Sequence, residues 1–190
     1  MGKVACLALF ALYSAAAWAQ ADPALLAKLR QGGYVLFLRH TSTDFSQDDQ
    51  RMTSFEDCAN QRNLTDKGRD EARALGAQLK RLGIPIGTVY ASPFCRTLET
   101  ARLAFGQAER TAEARGGPAN TNDPTRYDPL RKLLAARPAA GKNNVIASHG
   151  NPFYAVFGPP YLAEGEMAVV EPSAVVVVGR IRLEDWQAFH

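Results

Sequence analysis

Three short stretches of this chain end in groups suited to holding phosphate. Arg39 and His40 close the apolar run YVLFLRHTST (34–43), Arg96 lies within SPFCRTLETA, and His149 with Gly150 closes NNVIASHG (143–150). Guanidinium groups fork onto tetrahedral oxyanions, imidazoles attack phosphorus or donate hydrogen bonds to its oxygens, and helix N-termini offer free N–H donors. Two arginines, two imidazoles and the helix starts beside them therefore point to a pocket for one phosphoryl group. The chain has three histidines, and the third is its last residue. Taken singly, a histidine at a strand end is more often structural than catalytic, and an arginine is usually a surface charge; the repetition of the pattern is the signal. There is no Gly-rich Walker loop, so nucleotide binding of that kind is not supported, and the absence of an HExxH pair or a carboxylate cluster argues against a metallohydrolase.

The elements that must position these groups follow from periodicity and punctuation. Five apolar residues precede Arg39, as in a strand covered on both faces, and in open α/β sheets ligands bind beyond the carboxyl ends of such strands. Residues 65–82 are predicted to be a helix capped by Thr65, with Ala72, Leu75, Leu79 and Leu82 on one face and Gly83 and Pro85 as the stop. A strand follows at 88–92. Ser92 and Pro93 are the expected cap and first turn of a helix with the stripe Phe94, Leu98, Ala101 and Phe105, ended by Gly106. Residues 107–126 read as a surface excursion, 127–137 as a helix, 144–148 as a strand with a short helix after Asn151 and Pro152, and 174–181 as a late strand. Alternating strands and helices imply a largely parallel sheet in a three-layer α/β sandwich.

Residues 1–19 have the pattern of a secretory leader: Lys3, an apolar Ala-rich stretch, and an Ala17-Trp18-Ala19 cleavage site. The expected mature chain, 20–190, is long enough for one domain with a substantial core. Without Lys3, its 21 basic and 19 acidic residues give 21 − 19 = +2, too mild a charge for a nucleic-acid binder. No membrane span is expected once the leader is removed, and the location implied is periplasmic or secreted. Cys58 and Cys95 then remain as an even pair in an oxidising compartment and are expected to form a disulfide, two separate buried thiols being the other reading.

The segments LFLRHTST (36–43), NLTDKGRDEARALGAQL (63–79), ASPFCRTLETA (91–101) and VIASHGNP (145–152) resemble, in order and spacing, those of the histidine phosphatase superfamily, which includes phosphoglycerate mutases and acid phosphatases. The resemblance implies a phosphoglycerate mutase-like fold and a phosphohistidine mechanism needing no metal or organic cofactor. Carried over by position, His40 is the nucleophile, Arg39 and Arg96 grip the phosphoryl oxygens, His149 completes the pocket, and Thr43 adds a hydroxyl contact. Two departures stand out: the family's usual glycine after the RH pair is Thr41 here, and residues 106–142 hold no match for the proton-donating glutamate many members place there. Glu166, in AEGEMAVV, is the expected general acid, with Asp44, Asp123 and Glu164 as rivals.

These features together imply an exported phosphomonoesterase acting on a phosphorylated small molecule or glycan, such as a sugar phosphate or an envelope glycan, and with no nucleic-acid partner. A phosphomutase is the alternative enzyme, disfavoured by export because its metabolite substrates are normally intracellular. A non-catalytic phosphate-binding module is the third reading.

Overall fold

The computed structural model describes residues 22–116, 123 and 125–189; the expected leader, 1–19, lies outside the described residues. Five helices, α1 (Pro23–Gln31), α2 (Asp66–Arg81), α3 (Cys95–Phe105), α4 (Asp128–Ala135) and α5 (Gly150–Phe157), surround a sheet of β1 (Val35–Arg39), β2 (Ile86–Ala91), β3 (Glu109–Arg110), β4 (Asn143–Ser148), β5 (Met167–Glu171) and β6 (Val176–Ile181). The strand order is β3-β2-β4-β1-β5-β6. Strands β3, β2, β4 and β1 run parallel, whereas β5 and β6 are antiparallel to their neighbours.

The uninterrupted apolar character of β1 follows from its central place. Leu36 and Leu38 pack with Leu25, Leu75 and Leu98 from α1, α2 and α3 on one face, while Val35 and Phe37 pack with Leu130 and Phe153 from α4 and α5 on the other. Strand β4 divides likewise, with Val145 and Ala147 on the first face and Ile146 on the second. Both faces are covered, so polar alternation has no place in these strands. No helix among the described residues is long and apolar enough to cross a membrane.

The segment 63–79 brackets the loop that follows His40. Leu64 bridges to Thr43, Thr65 N donates to Ser42 O (3.0 Å), and the Thr65 hydroxyl caps α2 by accepting from Gly68 N (2.9 Å). Gly68 is required by close approach: a Cβ there would lie 2.0 Å from the Ser42 carbonyl oxygen. Two expectations need correction. Ser92 does not cap α3: Phe94 occupies the cap position without a side-chain bond, and the Gln61 side chain accepts from Cys95 N (2.9 Å) from across the chain. The expected excursion at 107–126 instead contributes the edge strand β3 and a tight turn at Ala112–Ala114, whose Ala114 is buried and accepts a hydrogen bond from the Ser148 hydroxyl.

Cys58 and Cys95 are joined in a disulfide with Cα atoms 5.8 Å apart, tying the excursion between β1 and α2 to the first residue of α3. The bridge spans a sequence separation of 37, for which restriction of the unfolded chain contributes about 4 kcal/mol. Titration of the unfolded, unreduced mature chain should find neither cysteine free. Reduction should lower the denaturation midpoint by an amount corresponding to ~4 kcal/mol, checked by urea unfolding with and without reductant; two titratable thiols before reduction would contradict the linkage.

Candidate active site

Parallel pairing of β1 with β4 sets Arg39 opposite Ser148, and His40 N continues the ladder by donating to Ser148 O (3.0 Å). His40 and His149 thus leave adjacent strand ends side by side, with ring centroids 5.5 Å apart. Strand β2 ends next to β4, where Ser92 N donates to Ala147 O (2.9 Å), and the Ser92 side chain reaches His149 with Oγ 2.8 Å from Nε2. Ser92 therefore orients an imidazole rather than starting a helix. These strand ends form the floor of a cleft of about 210 Å³ lined by Arg39, His40, Asp49, Arg62, Arg96 and His149, with Arg115, Arg126 and Tyr161 also facing it.

His40 is only 1 % exposed, and its Nδ1 lies 3.0 Å from the Thr41 carbonyl oxygen. A carbonyl only accepts, so Nδ1 carries the proton, and in the neutral ring Nε2 keeps a free lone pair. Burial holds the His40 pKa well below the usual imidazole range, and Arg96, Arg39 and Arg62 depress it further, against the raising effect of the Thr41 bond. His149 is held low by desolvation first and then by Arg96 and His40; it keeps an accessible edge in the cleft but is otherwise packed among protein atoms. Thr41, where the family pattern has glycine, turns its hydroxyl away from the cleft toward Thr100 (3.3 Å).

The cations are pinned by different means. Arg39 donates Nη1 to Leu162 O (2.7 Å) and Nη2 to Glu164 Oε1 (3.4 Å), and its guanidinium lies over the Tyr161 ring. Gly150 is needed beneath that ring, since a Cβ there would lie 2.0 Å from a Tyr161 ring carbon. Arg96 makes a two-pronged contact with Asp49, Nη1 to Oδ1 at 2.9 Å and Nη2 to Oδ2 at 3.0 Å. Asp49 Oδ1 also accepts from Arg62 N (2.9 Å), and the Arg62 guanidinium stacks on Phe45. The buried Nε atoms of Arg39, Arg62 and Arg96 lack protein partners. Desolvation lowers the pKa of Arg39 and of Arg96, offset in part by Glu164 and Asp49 respectively.

The carboxylates are distributed differently from expectation. Glu166 does not line the cleft: Arg180 Nε and Nη2 donate to its two oxygens at 2.7 and 2.9 Å, Ala163 N donates to Oε2 at 2.8 Å, and the pair is almost fully buried. Antiparallel pairing of β5 with β6, Ala168 opposite Arg180, brings that arginine within reach, so Glu166, expected as the general acid, is instead held in a buried ion pair away from the cleft. Glu164 lies behind His40, with Oε1 3.8 Å from Nδ1, and takes the Thr43 hydroxyl (2.7 Å); Thr43 is thereby withheld from the cleft as well. Asp44 is half-buried and Asp123 exposed, and they accept from the nearby residues Ser46 and Thr125. Among the described lining residues Asp49 is the carboxylate, and sequence reading missed it because its partner Arg96 is 47 residues away. Arg62, four residues after Cys58, also lines the cleft. Among the described residues no His, Cys, Asp and Glu grouping has the arrangement to hold a metal ion.

A family model described as the histidine phosphatase superfamily (branch 1) matches residues 35–117. No curated protein sequence matches the chain. A protein histidine phosphatase SixA complexed with tungstate is 20% identical, with 80% of this chain and 98% of that chain covered and a TM-score of 0.54. A phosphoserine phosphatase mutant from Entamoeba histolytica, in complex with phosphoserine, is 13% identical, with 80% and 98% covered and a TM-score of 0.56. A putative phosphohistidine phosphatase SixA from Agrobacterium tumefaciens is 16% identical, with 78% and 97% covered and a TM-score of 0.53. At such identities these structures speak to the fold, and they share the phosphoglycerate mutase-like α/β sandwich. The family-model match covers 83 of the 190 residues, and the fold is the one these structures share.

The two depressed imidazoles link stability to pH. The unfolded chain takes up protons on His40 and His149 near pH 6.5, whereas the native site does not until well below that value. Between those limits the unfolded state binds more protons, so stability falls as pH drops below about 6.5, by at most ~1.4 kcal/mol per pH unit for each histidine. Chemical denaturation from pH 7 to 5 in phosphate-free buffer should show this slope, and His149→Gln should remove about half of the histidine share. An unchanged slope in that variant would contradict the assignment.

Proposed function

We propose that this protein is an exported phosphomonoesterase that cleaves its substrate through a phosphohistidine on His40. The observation that carries the reading is a neutral imidazole, its proton committed on the Nδ1 side, at the floor of a cleft ringed by guanidinium groups. The phosphoryl group enters between Arg39, Arg62 and Arg96, whose charges stabilise the equatorial oxygens as negative charge spreads over them. In doing so it takes over the fork of Arg96 and displaces Asp49, which in the free protein occupies that fork as an internal anion. His40 Nε2 forms a bond to phosphorus while the ester P–O bond breaks, and His149 donates a hydrogen bond to the transferring group. Asp49, displaced from Arg96, takes the proton that the phosphate monoanion brings in and passes it to the departing oxygen. Water then attacks phosphorus and breaks the P–N bond, Asp49 recovers a proton from that water, and inorganic phosphate leaves with His40 restored.

A sugar phosphate or envelope glycan suits the mouth of this cleft. Tyr161 lines it and Tyr154 stands beside it, their rings 5.8 Å apart and 46 % and 47 % exposed, which supplies a flat amphipathic face for a sugar ring. Export is supported by the leader pattern of residues 1–19 and by the disulfide beside the site.

Asp49→Asn should slow hydrolysis of alkyl phosphates by about 10²-fold and aryl phosphates far less, because a good leaving group needs little protonation. Glu166→Gln should show itself as lost stability, about 3 to 5 kcal/mol from the uncompensated buried arginine. Paired kinetics on the two ester types with denaturation curves distinguish these, and a leaving-group dependence confined to Glu166→Gln would reverse the assignment.

His40 is expected to carry the phosphoryl group during turnover. Rapid quench with labelled substrate at alkaline pH, followed by peptide mapping, should place label on His40. His40→Ala should abolish both label and turnover, and His149→Ala should slow turnover by about 10²-fold while still permitting some labelling. Label on His149, or full activity without His40, would sink the mechanism.

A further inference from the structure

Attack on phosphorus puts a charge on the His40 ring that the free protein does not carry. When Nε2 gives its lone pair to phosphorus, the P–O bonding pair leaves with the departing oxygen and Nδ1 keeps its proton, so the imidazole turns from neutral to cationic. The cleft side opposes that change. Burial first, and then Arg96, Arg39 and Arg62, disfavour positive charge on this ring, and the Thr41 carbonyl, 3.0 Å from Nδ1, offers only a dipole against them.

Glu164 places a negative charge on the other side of the ring. Its Oε1 lies 3.8 Å from His40 Nδ1, beyond hydrogen-bond reach yet within ion-pair distance, and among the described residues it is the carboxylate so placed at this ring. Glu164 does not line the cleft, so it meets His40 and not the phosphoryl group. Its position is held from several sides. Oε1 accepts from the Thr43 hydroxyl (2.7 Å) and from Arg39 Nη2 (3.4 Å), and Oε2 accepts from Thr43 N (3.2 Å). The backbone is fastened to the same strand end: Gly165 N donates to the carbonyl oxygens of Arg39 (3.2 Å) and His40 (3.0 Å), and Arg39 N donates to Glu166 O (3.1 Å). A carboxylate beside a neutral ring contributes little, but beside a ring that becomes cationic in a site withdrawn from water it contributes much more. Such a difference between the two states accelerates a step instead of tightening binding.

We infer that Glu164 is a positioning residue for phosphoryl transfer, its carboxylate held by Thr43 and Arg39 behind the His40 ring so as to favour the cationic phosphoimidazole over the neutral imidazole. This rests on the assignment of His40 as the nucleophile. In the first half-reaction the ring gains charge, and Glu164 promotes it. In the second, water attacks phosphorus, the P–N electron pair returns to Nε2 and the ring loses its charge, so Glu164 gives no help there.

The half-reactions are separated by rapid quench of the mature protein with radiolabelled p-nitrophenyl phosphate, whose leaving group needs little protonation, so that Asp49 does not obscure the result. Label recovered on His40 at alkaline pH gives formation, and its decay after a chase of unlabelled substrate gives breakdown. Glu164→Gln, which keeps the shape and an oxygen acceptor but not the charge, should slow formation about 10- to 100-fold and leave breakdown unslowed, so that the phosphorylated fraction at steady state falls. Inhibition by inorganic phosphate should stay near that of the unaltered protein, since Arg39 keeps its bond to Leu162 O. Glu164→Asp, which keeps the charge, should restore part of the rate of formation. Equal slowing of the two half-reactions, which would make Glu164 a brace for Arg39 and Thr43, or an unchanged rate of formation, would overturn the inference and leave the phosphohistidine reading standing. Absence of label from His40 in the unaltered protein would defeat both. If Glu164→Gln does not fold, Glu164→Asp decides alone, because drawing the carboxylate back by a methylene group should still slow formation and not breakdown, and parity between the two steps would overturn the role.

Discussion

The site depends on a single backbone constraint, the parallel pairing of β1 with β4 in the register that sets Arg39 opposite Ser148. Neither histidine has a partner of its own kind nearby in sequence; they meet because two strands buried on both faces end at the same level of the sheet. A register slip would move the core side chains of each strand as well as its histidine, so the packing of Leu36, Phe37, Val145 and Ile146 fixes the placement of the two histidines. Burial then has a chemical consequence. The same desolvation that stabilises the strands keeps both imidazoles neutral, and a neutral imidazole with a fixed Nδ1 proton is the form that can attack phosphorus.

Concentrating cations at such a place carries an electrostatic cost, and the protein offsets it with carboxylates in two positions. Glu164 sits behind Arg39 and His40, where it cannot be displaced without disturbing the Thr43 turn. Asp49 sits in front, lining the cleft on a loop closed at its ends by the Thr43–Leu64 bridge, and holds Arg96 through a two-pronged contact. The first pairs with a cation from behind the cleft and the second from within it. Glu166, chemically identical to Glu164, is bound to Arg180 and tethers β5 to β6.

The excursion between β1 and α2 is tied to α3 by more than one link. The disulfide joins Cys58 to Cys95, the Gln61 side chain accepts from the backbone of Cys95, and Arg96 reaches both Asp49 and the Arg62 carbonyl oxygen. The loop that supplies Asp49 and Arg62 is thus referred to the same helix start that supplies Arg96. The absence of a side-chain cap at Phe94 is explained by this arrangement, since Gln61 satisfies the free N–H from outside the helix. Ser92 is left available for His149.

The sequence by itself determined the parts of this protein that are local. Apolar runs ending in Arg39-His40 and in His149, the periodicity and capping of 65–82, the glycine stop at Gly106 and the even pair of cysteines are all short-range patterns, and the three-layer α/β architecture follows from their alternation. Tertiary structure alone decided which carboxylate lines the cleft, what Ser92 bonds, and that Arg115 and Arg126 enter the same cleft. Those outcomes depend on how loops return to the sheet and on which partner an acidic side chain meets first: Asp49 reaches Arg96 across 47 residues, while Glu166 is claimed by an arginine on the next strand. Periodicity carries the burial of a face, because burial repeats along an element. The pairing of one charge with another does not repeat, and it exists only once the chain has closed.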